Sequence, residues 1–172
     1  MKKIFFLVLF VASFASVNSQ AKQDRTGNLI GYAQKSDFLK NQYKGWFEYH
    51  YKKYDTDKEV VQKIKKNLKD ISVLCFMGTW CKDSKREVPR FYKIMEEANF
   101  DFKNDFKLIA LNWNKRTPDN LQAGYNIFRV PTFVFYKRKQ EIGRLVEYPR
   151  QIMEKDILRI LERKTYKHSY EK

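Results

Sequence analysis

The stretch that most constrains this chain runs from Ile71 to Ser84, ISVLCFMGTWCKDS. Its first seven residues are almost continuously apolar and rich in strand formers, which suits a strand buried on both faces, as in a parallel sheet. Gly78-Thr79 ends the run, and the tetrad Cys81–Ser84 opens a helical pattern. The spacing therefore predicts a thiol at a strand-to-helix tip, with Ser84 three positions beyond it.

The flanking patterns agree with a layered α/β fold. Upstream, a capping-box pattern at Thr56-Asp57-Lys58-Glu59 opens a helix through Lys69, with Val60, Val61, Ile64 and Leu68 at helical spacing. Downstream, Val88, Phe91, Tyr92, Met95 and Ala98 mark one helical face, and Pro89 inside it removes a backbone donor and implies a kink. A second strand is expected over Phe106 to Leu111, and Thr117-Pro118 is expected to cap a short helix reaching Gly124. Val130-Pro131-Thr132 leads a strand from Phe133 to Tyr136, Lys137–Gln140 turns the chain, and Ile142 to Val146 returns antiparallel. Pro149 is expected to start the last helix, with Met153, Ile157, Ile160 and Leu161 inward. The result is a central mixed sheet flanked by helices, with a parallel part followed by a hairpin.

Four segments follow. Residues 1–19 carry Lys2 and Lys3, an apolar stretch Ile4 to Phe14, and small and polar residues up to Val17-Asn18-Ser19. That is the pattern of a secretory signal cleaved after Ser19, and the apolar run is too short for a bilayer span of about 20 residues. The expectation is an exported protein, periplasmic or extracellular, with no stable membrane insertion of the mature chain. Residues 20–56 form an aromatic-rich extension in which Phe47, Tyr51 and Tyr54 share one helical face, read as a packing stripe with His50 a bystander. Residues 57–163 are the main domain, and 164–172 a polar tail.

The charge is strongly positive, 35 basic against 20 acidic residues. Nucleic-acid binding needs clustered cations, whereas the lysines here are scattered over nearly every segment, so no nucleic-acid partner is expected. With only Cys75 and Cys81, the chain is no disulfide-stapled miniature. His50 and His168 fall in no metal-ligand spacing with the cysteines, so neither a metal nor another cofactor is expected.

At the tip, the first helical turn has backbone N–H groups without partners and the positive end of the helix dipole. A thiolate at Cys81 gains from both, and Lys82, Lys85 and Arg86 add positive charge that Asp83 opposes. Ser84 is placed to offer its hydroxyl to the sulfur. These residues, with Pro89 beyond Ser84 and Val130-Pro131-Thr132 before a strand pair, resemble the thioredoxin superfamily over about residues 57–163. The resemblance implies a thioredoxin-like fold, a cis Pro131 beside Cys81, and a substrate-binding role for Trp80, Val130 and Pro131, with the backbone of Val130 facing an extended partner. It also marks departures. Ser84 stands where the resolving cysteine belongs, Lys82-Asp83 replace the usual pair between, and Cys75 stands where the family keeps a buried acid.

A thiolate that attacks a disulfide forms a mixed disulfide, which a second thiol must resolve. Ser84 cannot supply one. Cys81 is thus expected to act as a single nucleophile, in isomerase-like exchange or in reduction of mixed disulfides, on protein or peptide thiols and disulfides and with an external thiol or reductase. The other reading is a redox-inactive thioredoxin-fold module that binds peptides without turnover. Cys75, on an apolar strand, is expected to be structural.

Overall fold

The computed structural model describes residues 20–171; the expected signal, residues 1–19, lies outside the described residues. In chain order the strands are β1 (Lys22–Gln23), β2 (Leu29–Ala33), β3 (Ile71–Met77), β4 (Phe106–Ala110), β5 (Thr132–Lys137) and β6 (Gln140–Val146). The helices are α1 (Lys35–Phe38), α2 (Lys44–Lys53), α3 (Lys58–Lys66), α4 (Lys82–Glu97) and α5 (Met153–Leu161), with a 3-10 turn at Asn41–Tyr43. The sheet has the order β1-β2-β4-β3-β5-β6. Among these strands β3 and β4 run parallel, and the β1–β2, β2–β4, β3–β5 and β5–β6 pairs are antiparallel. The expected mixed α/β sheet is present, with β3 at its centre.

Because successive strand side chains point to opposite faces, β3 divides the core in two. Ile71, Val73, Cys75 and Met77 join one cluster, and Phe76 with Leu74 joins the other. The same alternation sends Leu108 and Ala110 of β4, and Phe133 and Phe135 of β5, to the first cluster, while Ile109 and Val134 go to the second. Every helix buries its apolar residues in the first cluster: Phe38, Phe47, Val61, Ile64, Phe91 and Ile157 are each at most 1% exposed there. The opposite face is covered by irregular chain between β4 and β5, through Leu121, Tyr125 and Ile127.

Several local expectations are corrected. The cap of α3 is Asp57, whose carboxylate accepts from the Val60 N–H at 3.1 Å, while the Thr56 hydroxyl instead donates to Glu97. Residues 117–124 make turns and no helix. Thr117 Oγ1 accepts from Leu121 N, Gln122 Oε1 accepts from Thr117 N, and Asn120 and Gly124 have positive φ, so side chains and left-handed residues take over what a helical ladder would do. The last helix starts at Met153, after a turn in which Asp156 accepts from the Arg150 N–H at 2.6 Å.

Residues 20–56 supply two strands besides the aromatic helix. Strand β2 pairs with β4, and α2 sets Phe47 in the core against Phe38 and Tyr92 at 5.7 and 5.8 Å between ring centroids. Tyr54 donates to Glu154 at 2.6 Å, and the same buried carboxylate accepts from the Asp57 N–H at 3.1 Å. Residues 164–171 fold back on the domain: Tyr166 donates to Asp156 at 3.0 Å, and the Ser169 hydroxyl donates to the Tyr148 carbonyl at 2.7 Å. Among the described residues no helix is long and apolar enough to cross a membrane.

Candidate functional site

The tip forms where β3 ends. Cys81 is the N-cap residue of α4, with extended backbone; its carbonyl accepts the Lys85 N–H at 3.0 Å and its own N–H donates to Gly78 O at 3.0 Å. Gly78 is required by its neighbour, since a Cβ there would lie 2.5 Å from the Trp80 indole. That indole is half-buried, and its N–H donates to Leu111 O at 2.9 Å, fixing the ring across the end of β4. Thr79 is 3% exposed and accepts from the Leu29 N–H at 3.0 Å, so β2 is fastened to the residue just before Trp80-Cys81.

The Cys81 thiol donates to the Val130 carbonyl at 3.1 Å and is partly exposed. The Val130–Pro131 peptide is cis. Both residues are buried, and the Glu147 N–H at the end of β6 donates to Pro131 O at 2.7 Å. Trp80, Cys81, Val130 and Pro131 thus come together at one end of the sheet, although Val130 lies 49 positions from the thiol.

Ser84 differs from expectation. It is fully buried, and its hydroxyl oxygen accepts from the Gly78 N–H at 3.2 Å. Its geometry is that of a brace between α4 and the end of β3, while the thiol's partner is the Val130 carbonyl. Cys75 is 0% exposed in the helical-face cluster, whereas Cys81 packs against the other cluster, so the two sulfurs belong to opposite faces. Burial pushes the Cys75 thiol well above its ordinary value of 9.0. Both cysteines are free.

Charge around α4 is ordered. Arg86 pairs with Asp83 at 2.6 Å and also with Glu87, which is 1% exposed and takes Arg90 at 3.3 Å as well. Burial raises the Glu87 carboxyl above its ordinary value, against the pull of both arginines. Glu147 is raised too, by burial and then by Asp83, opposed by Arg129, Arg86 and Lys115. His50 is held below its usual range by burial and by Arg90, Arg86 and Lys53. Among the described residues no group of three or more His, Cys, Asp or Glu is placed to hold a metal ion.

Sequence reasoning missed the aromatic residues around this tip. Trp113 stacks on Trp80 with centroids 4.4 Å apart, and Phe128, Tyr148 and Tyr170 gather beyond Val130. Exposed rings in turns have no periodic signature; the one signal was Trp113 close behind a predicted strand end.

Comparisons bear on this geometry. The thioredoxin family model matches residues 32–162. A thioredoxin-like protein of Acanthamoeba polyphaga mimivirus, R548, is 31% identical over 90 residues, 52% of this chain; the match spans 62% of that protein's length. Among solved structures, a Pseudomonas aeruginosa protein of unknown function, PA1234, aligns with a TM-score of 0.57 at 13% identity, covering 74% of this chain and 90% of that one. A Fasciola hepatica thioredoxin aligns with a TM-score of 0.34 at 22% identity, over 48% of this chain and 73% of its own.

Proposed function

The chain belongs to the thioredoxin superfamily, and from that premise we propose that it is an exported thiol–disulfide exchange protein working through one nucleophile, Cys81. The observation that carries the reading is the Cys81 thiol at the start of α4, partly exposed and hydrogen-bonded to the carbonyl that precedes Pro131. Ser84 and Trp80 support it from behind, and Val130 and Pro131 line the partner's side. Export rests on the Lys2 to Ser19 pattern alone.

In this reading the Cys81 thiolate attacks one sulfur of a partner's disulfide. A Cys81–partner S–S bond forms, the original S–S bond breaks, and the leaving sulfur departs as a thiolate. A second thiol, from the partner or a small external donor, then gives up its proton and attacks the mixed disulfide. Attack on the partner's sulfur frees Cys81 as thiolate and leaves the partner isomerised or newly disulfide-bonded to the donor. Cys75 takes no part, because it is buried on the other face of the sheet.

Mass spectrometry after mixing the protein with a disulfide-bonded peptide tests the mechanism. A Cys81 adduct that persists until an external thiol is added is the expected result. Spontaneous clearance with formation of a Cys75–Cys81 bond would overturn the single-thiol mechanism, and no adduct at all would favour a peptide-binding module without turnover.

A further inference from the structure

Two groups of exposed aromatic rings connect to the thiol, one through its neighbour Trp80 and one through the Val130 loop. In the first, Trp113, 61% exposed, stacks on Trp80 at 4.4 Å. In the second, Phe128 and Tyr148 are 49% and 43% exposed, and each meets Tyr170 of the folded-back tail, at 6.0 and 6.2 Å. The Arg129 guanidinium lies over the same Tyr170 ring at 5.2 Å. Phe128 and Arg129 directly precede Val130, whose carbonyl accepts from the thiol, so this second group is continuous with the loop that holds the sulfur. The tail is anchored there: His168 is 7% exposed with its ring 6.1 Å from Phe128, and Ser169 is bonded to the Tyr148 carbonyl.

Single exposed apolar residues need no explanation, but several large rings gathered at one mouth mark an interaction site. Trp and Tyr provide large, stiff contact surfaces at low entropic cost. The geometry points to Trp113 and Tyr170 as specificity-determining residues: they make two aromatic walls, between which an extended protein segment lies with its cysteine at Cys81 and large aromatic or aliphatic side chains on either side. The positive balance, 35 basic against 20 acidic residues of which only Lys2 and Lys3 lie in the expected signal, and the exposed Arg129 select segments with net negative charge. The inference rests on the exchange reading above and adds the class of partner.

The test is equilibrium binding to the Cys81→Ser protein, which forms no covalent adduct. The probes are two acidic peptides with one cysteine each, flanked by Phe and Leu in one and by Ser and Gly in the other. The apolar-flanked peptide should bind more tightly. Trp113→Ala and Tyr170→Ala should each weaken that binding by about 2- to 10-fold, the worth of one aromatic pair, while Tyr170→Phe retains it; melting curves confirm that each variant is folded. Equal binding of the two peptides overturns the inference without recourse to any variant, as does indifference to both alanine substitutions. Reduction of a small aliphatic disulfide by the wild-type protein, with a small external thiol supplied to resolve the Cys81 mixed disulfide, is read separately. Loss of that reaction with flank-dependent binding intact sinks the exchange reading alone, and the reverse pattern sinks the walls alone.

Discussion

The two faces of the sheet treat the same functional group in opposite ways. Cys75 and Cys81 lie six residues apart, yet Cys75 faces the side where all the helices pack and Cys81 belongs with the side covered by irregular chain. A helical layer seals its face, and the thiol beneath it is fully buried in the apolar cluster. The other face is closed by turns whose backbone is satisfied locally, by Thr117, Gln122 and Asn112 among others. The partly exposed Cys81 sulfur lies at the sheet's end on this side. Strand parity turns Cys75 toward the helices, whereas the turn from Gly78 to Cys81 that ends β3 carries Cys81 to the other side.

The sharpest break of that comparison is Cys81→Ser, which should abolish exchange entirely while Cys75 remains; residual turnover in a mixed-disulfide assay would place the chemistry on the wrong face. Next come two matched core deletions. Phe91 and Phe76 are both fully buried, on the helical and the irregular side respectively. Phe→Ala costs about 3–5 kcal/mol, less where the surroundings can collapse. Phe91, stacked on Phe133 at 4.4 Å, should fall at the upper end in denaturant unfolding, and Phe76, against Tyr125 at 5.0 Å, at the lower. Equal costs would mean that the irregular cover is as rigid as the helices.

Ser84→Ala should cost about 1–3 kcal/mol, because it leaves the buried Gly78 N–H without its acceptor. The smallest effect is expected at Cys75→Ala, about 1 kcal/mol for a small buried side chain, with the exchange rate unchanged. Its pH dependence has a definite sign. The folded-state value of Cys75 is raised, so the contribution of the neutral thiol is fully present below the ordinary value of 9.0 and is lost as pH rises above it. Stability of the wild type should therefore fall more steeply above pH 9.0 than that of Cys75→Ala in parallel unfolding curves.

Much of the architecture was legible because it is written in periodicity. The run 71–77, the apolar face of α4 and the β5–β6 hairpin each carry enough apolar residues at fixed spacing to be read without tertiary information. Strand β2 was not legible, because LIGYA alternates poorly and becomes a strand only by pairing with β4. The tail 164–172 reads as polar, yet Tyr166, His168 and Tyr170 find partners from three other segments. For the site, Cys81 was read from its place at the strand-to-helix tip and the resemblance pointed to Trp80, Val130 and Pro131, while the thiol's bond to the Val130 carbonyl depends on a loop 49 residues away that no spacing rule connects. Ser84 was read by its place in the tetrad, whereas its contacts follow from the closeness of α4 to Gly78.

The Glu154 carboxylate joins Tyr54 and the Asp57 N–H across 100 and 97 positions of sequence. A chain emerging amino terminus first therefore makes α3 long before the group that completes its start exists. During that interval the Asp57 amide and the Tyr54 hydroxyl must turn to water, and the central strand β3 still lacks β5 on one edge. Contacts of such span are slow to form because loop-closure entropy is lost before they reward it. Native structure is consequently an event of the whole chain rather than of its growing front: released before Glu154, the chain lacks both that clasp and α5, and is material for proteases rather than a smaller domain.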